Sequence, residues 1–73
     1  MIQLSIDLTA DTYAETVISE DTRITASMAI INSSVPSSAM GDDWTFTTAD
    51  GSLALTGTVS EQTTITLILG VVA

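Results

Sequence analysis

The chain contains no cysteine, no histidine and no lysine, and its only basic side chain is Arg23. Each absence removes a class of chemistry. Without cysteine there is no disulfide and no thiolate metal site. Without histidine the usual general base near neutral pH is missing. A serine nucleophile needs a base beside it, and neither histidine nor lysine is there to serve. Metal ligands are restricted to carboxylates and carbonyls. Nine acidic residues stand against the single arginine, for a net charge of −8. Such a surface repels phosphate, so the sequence predicts no nucleic-acid binding. Anionic membranes are disfavoured on the same ground.

Other scarcities bear on the fold. The apolar stretch over residues 65–73 is far too short to cross a bilayer. The opening Met1-Ile2-Gln3-Leu4 has neither a basic region nor a continuous apolar run, and predicts no signal peptide. The length, 73 residues, predicts one domain over 1–73. A chain of this size buries only about 60% of its unfolded surface. Domains this small lean on disulfides, metals or oligomerisation. With thiols and imidazoles absent, oligomerisation is the expected supplement. Apolar residues make up 45% of the chain, so it is not a low-hydropathy disordered sequence.

What is present is alternation. Ile2, Leu4, Ile6 and Leu8 alternate with Gln3, Ser5, Asp7 and Thr9, a half-buried strand. Ala10-Asp11-Thr12 reads as a turn. Residues 12–18 fit a short helix or a strand, and Thr12, Thr16, Val17 and Ile18 favour the strand. Ser19-Glu20-Asp21 reads as a turn. From Thr22 the alternation returns, with Ile24, Ala26, Met28 and Ile30 on one face. Residues 32–42 read as a loop around the sole proline, Pro36, which cannot donate to a central ladder. Asp50-Gly51 lies between Trp44, Phe46 and Leu53, Leu55, which alternate with threonine and alanine. That is a strong hairpin signal. Gly57, inside the second arm, marks a bulge or a close backbone approach. Ser60-Glu61-Gln62 turns into a last strand in which Ile65, Leu67 and Leu69 oppose Thr64, Thr66 and Ile68. The expected fold is all-β, a small antiparallel β-sandwich or Greek-key barrel of about six strands.

Candidate chemistry reduces to bland readings. Asp42 and Asp43 are adjacent, so a strand starting there sends them to opposite sides, unlike a working acid–base pair. Asp11, Asp42, Asp43 and Asp50 match no calcium-loop spacing, and aspartate favours turns for local reasons. The Thr-x-Thr rows are too short for an ordered-water surface and suit the wet face of a strand. Trp44 reads as core rather than as a sugar platform. The sequence therefore predicts no enzyme and no cofactor. Apolar residues on the wrong parity are more informative. Ala29, Ile31 and Ile68, with Val71 and Val72, fall where the wet face or a chain end is expected. Exposed apolar surface of this kind marks an interface.

Residues 24–69 resemble a short module of phage virion proteins, the distal domain of head fibres and related capsid decoration proteins. The resemblance runs through Ile24-Thr25-Ala26-Ser27-Met28-Ala29-Ile30-Ile31 as a strand, then the proline loop Ser34-Val35-Pro36-Ser37-Ser38-Ala39. It continues through Asp43-Trp44-Thr45, Thr48-Ala49-Asp50-Gly51-Ser52, Gly57-Thr58-Val59 and Thr64-Ile65-Thr66-Leu67. The longer N-terminal stalk and capsid-binding part of such fibres have no counterpart in these residues. The resemblance thus implies a stand-alone decoration (cement) protein on the capsid exterior of the virion, a homotrimer bound to the major capsid protein and stabilising the shell. The contact residues expected on this reading are Ile2, Leu4, Ile31, Pro36, Met40, Ile68, Val71 and Val72. The strands at 2–8 and 65–72 are the edges expected to pair with a partner. The alternative is a receptor- or glycan-binding fibre tip, or an Ig-like adhesin module, using Trp44, Tyr13 and the loop at 33–42.

Overall fold

A computed structural model describes residues 1–71. Six strands and one short helix follow in the order β1 (Ile2–Leu8), β2 (Asp11–Glu20), β3 (Met28–Ser34), α1 (Ser37–Met40), β4 (Thr45–Ala49), β5 (Ser52–Val59) and β6 (Thr63–Val71). They form two three-stranded sheets, β1-β6-β3 (sheet A) and β2-β5-β4 (sheet B). Every neighbouring pair is antiparallel. Of the two architectures expected, this is the sandwich.

The alternation explains both layers. Ile2, Leu4, Ile6 and Leu8 are buried, with Gln3, Ser5 and Asp7 exposed between them. Ile65, Leu67 and Leu69 of the central β6 are fully buried beside them in the same layer. Leu53, Leu55 and Val59 of β5 supply the facing layer, and Ile24, Ala39 and Met40 from the connections complete one cluster. Each such aliphatic side chain contributes about 1.5–3 kcal/mol of burial.

Only the Asp50-Gly51 hairpin joins neighbours within one sheet, with Ala49 paired to Ser52. Every other connection crosses from one sheet to the other. Gly51 takes φ 83° there, a conformation that side-chain-bearing residues adopt only at a cost. Gly57 is the close approach that its place in the strand suggested. Its φ is 145°, and an added Cβ would sit 3.0 Å from the Trp44 Cα.

Three boundaries differ from the sequence reading. Asp11-Thr12 and Ser19-Glu20 belong to β2, so both turns are shorter than expected. The strand expected from Thr22 begins only at Met28. Its first half is a pair of turns clamped to the hairpin tip: the Asp21 and Gly51 amides donate to the Gly51 and Ile24 carbonyls, and the Ala26 amide donates to the Asp50 carboxylate. Ile24 is buried as a plug while Ala26 is exposed, so the period-2 pattern there is not a strand face. The loop expected over 32–42 is mostly structured. Asn32, Ser33 and Ser34 extend β3, and α1 folds Ala39 and Met40 into the core. The Ala39 carbonyl accepts hydrogen bonds from the Ser60 amide at 2.7 Å and its hydroxyl at 3.0 Å. These bonds tie α1 to the β5–β6 turn.

Candidate interaction surfaces

Among the described residues, no buried side chain is polar or charged, and no three His, Cys, Asp or Glu side chains gather as a metal site. The distinctive chemistry lies on the surface, in the distribution of charge. Asp7 is the only acidic residue in the strands of sheet A. Its carboxylate accepts a 2.7 Å hydrogen bond from the Thr64 hydroxyl. The other eight lie elsewhere. Asp11, Glu15 and Glu20 are on β2, Asp21 and Asp50 flank the hairpin tip, Asp42 and Asp43 follow α1, and Glu61 is in the β5–β6 turn.

Arg23, the one basic side chain, is committed. Its guanidinium meets Asp21 at 2.6 Å, and the Arg23 amide donates to the same carboxylate at 2.8 Å. The side-chain bond from Arg23, then the backbone bond, hold the Asp21 carboxyl at about 2, below its ordinary 3.8. A depressed carboxyl stabilises the fold above its unfolded value, and that contribution is lost as pH falls through the folded one. Solvent exposure keeps it small. A carbon-13 titration of Asp21 is expected to show a midpoint near 2. In Arg23→Ala the midpoint moves up toward the ordinary value; an unmoved midpoint removes Arg23 as the cause.

The outer face of sheet A is charge-poor and partly apolar. Gly70 is buried there although it lies on the outward parity of β6. An added Cβ at Gly70 would meet Ile31 Cδ1 at 2.5 Å and Met1 Cγ at 3.3 Å, so these two side chains converge over it. Ile31 is the extra residue at a bulge between Ile30 and Asn32. It is 51% exposed, and Val71, ending β6, is 65% exposed. Ala29 stands opposite Gly70. Ile68 is half-buried beside a shallow depression of about 90 Å³ lined by Asn32, Ser33, Ser34 and Thr66.

The expected contact residues separate accordingly. Ile31 and Ile68 lie on this surface, Val71 is exposed at the end of β6 on the parity of the buried Leu69, and Pro36 is half-buried at the start of α1. Ile2, Leu4 and Met40 do not: they are 5%, 8% and 2% exposed, because the inward parity of β1 and the turn of α1 point them into the core. Val72 lies outside the described residues. The edge expected of residues 65–72 is also absent over the described part, because β6 is the central strand, paired on both sides. Met1 and Gly70 carry no signal of this in the sequence; the fold alone brings them together with Ile31.

The aromatic residues are engaged internally. The Trp44 indole N–H donates to the Gly41 carbonyl at 3.2 Å. Its ring lies 5.2 Å from that of Phe46, and both pack on the core. The Tyr13 hydroxyl donates to the Thr9 carbonyl at 3.0 Å. Comparison of the chain with protein-family models, with curated proteins and with solved structures returns no match.

Proposed function

We propose that the chain is a structural assembly domain, a homotrimer that decorates the outside of a phage capsid and reinforces it. The observation that carries this reading is the charge-poor, partly apolar outer face of sheet A on a chain of net charge −8. Copies of so acidic a chain repel one another everywhere else. Contact through this face covers Ile31 and Ile68 while the eight carboxylates off this sheet stay in water. A small domain gains from such contact the burial its own core cannot supply. The acidic remainder would keep the outer surface of the particle soluble. The phage assignment is supported by the order of motifs between Ile24 and Leu67, from the proline loop through Asp43-Trp44-Thr45 to Thr64-Ile65-Thr66-Leu67. The fibre-tip alternative has less support, because Trp44 and Tyr13 spend their polar groups on the chain's own backbone.

The test is direct. Purified chain mixed with empty phage capsids should co-sediment with them and raise their melting temperature. Capsids that neither bind the chain nor gain stability would remove the decoration reading.

A further inference from the structure

The sandwich has four edge strands, and three of them are blunted. β2 has two register shifts along its pairing with β5 and holds Glu15 at φ 47°. β3 is bulged at Ile31, and its Met28 carbonyl is occupied by the Thr48 hydroxyl at 2.8 Å. β4 has only five residues. Bulges, short strands and local cover are the usual devices that stop an edge from pairing. β1 has none of them. It runs seven residues in unbroken register, from Ile2 opposite Leu69 to Leu8 opposite Thr63. It contains no proline and no bulge, and among the described residues it pairs with β6 alone. Its alternate amides and carbonyls face outward with no partner strand among the described residues.

The rim of that edge specifies the occupant. The two-residue link Thr9-Ala10 brings the start of β2 to the end of β1, so the exposed Asp11 stands at that end of the edge, and the exposed Glu15 and Glu20 follow along β2, an edge strand of the facing sheet. Arg23 is held by Asp21 and does not offset them. A second copy docked on β1 would bring up another chain of net charge −8 with the same carboxylates along its β2. An extended segment with basic side chains would instead neutralise them.

We propose that the free edge of β1 docks an extended, basic segment of a partner chain, which joins sheet A as a fourth strand beside β1. Main-chain hydrogen bonds give the contact its affinity and the acidic rim gives it charge selectivity. The proposal rests on reading the chain as an assembly module, and it holds whether or not the partner is a capsid protein.

Amide hydrogen exchange on the full chain tests it. The probe is a capped nine-residue peptide of alternating valine and lysine, with alternating valine and glutamate as control. The lysine peptide should slow exchange about tenfold or more at alternate amides of residues 2–8, and raised salt should weaken it. The glutamate peptide should leave exchange unchanged. Ser5→Lys, at an exposed position on β1, should weaken the lysine peptide about tenfold, with an unaltered circular dichroism spectrum. Protection mapping to β2 or β4, equal effects of both peptides, or no protection at all would overturn the proposal. Concentration-dependent protection of β1 in the free chain would do so too, by making a second copy the occupant. Capsid binding without β1 protection places the capsid contact elsewhere; β1 protection without capsid binding retires only the capsid.

Discussion

Gly57→Ala is expected to lower the unfolding free energy by roughly 3 kcal/mol, from backbone strain and overpacking together. The position combines two costs that are usually separate. Its φ of 145° lies where side-chain-bearing residues are strained, and the added Cβ meets the Trp44 Cα at 3.0 Å, the Trp44 Cβ at 3.2 Å and the Asp43 carbonyl oxygen at 3.4 Å. Two of those atoms are backbone and the third is bonded directly to it, so none can swing aside. The strand cannot retreat either, since Gly57 is paired with Tyr13 on its other side. A domain of this length has roughly 4–11 kcal/mol in total, so the melting temperature should fall by about 15 °C. Gly51→Ala is the control. Its φ of 83° is also left-handed, but nothing lies within 4 Å of the added carbon. Only the strain remains there, about 1 kcal/mol. Urea titrations followed by circular dichroism separate the two. Equal losses at both positions would mean that Gly57 marks a strained turn of the chain and not a contact with Trp44.

The contrast between these glycines also shows what the sequence makes legible. Asp50-Gly51 announces its hairpin because turn and flanking alternation are local. β1 and β6 are legible for the same reason: each has one buried face along its whole length, so parity alone reports burial. The segment from Thr22 misleads because Ile24 and Met28 are both turned toward the core by different means. Ile24 arrives through a turn held by Gly51 and Asp50, which are distant in the sequence, and spacing carries no trace of that. α1 has only four residues, too few to show a helical period, so the burial of Met40 is invisible before folding. The sheet order is equally hidden, because all but one connection crosses between sheets.

The surface was legible in part. Ile31 and Ile68 stand out by parity, and the structure explains Ile31 as a bulge residue lying over Gly70. Ile2 and Leu4 were expected at a contact because β1 looked like an edge. The strand is an edge, but what it offers is its backbone, since the apolar side chains belong to the core. The segregation of charge emerges only with the topology: nine carboxylates scattered along the chain become eight off sheet A and one on it.

Assembly through that face is the centre of this account, and the molar mass of the chain in solution tests it most directly. Light scattering at micromolar concentration should give about 23 kDa, three copies of the 7.6 kDa chain in closed symmetry. Placing carboxylates at the contact, in the double variant Ile31→Asp with Ile68→Asp, buries unpaired like charges that cost several kcal/mol per ion. That variant should run at 7.6 kDa with its circular dichroism spectrum unchanged, because neither side chain belongs to the buried core. Val17→Asp, equally exposed but on β2 of the other sheet, should leave the mass at the trimer value. A wild-type chain of 7.6 kDa at micromolar concentration, or a double variant that stays assembled, would contradict the account.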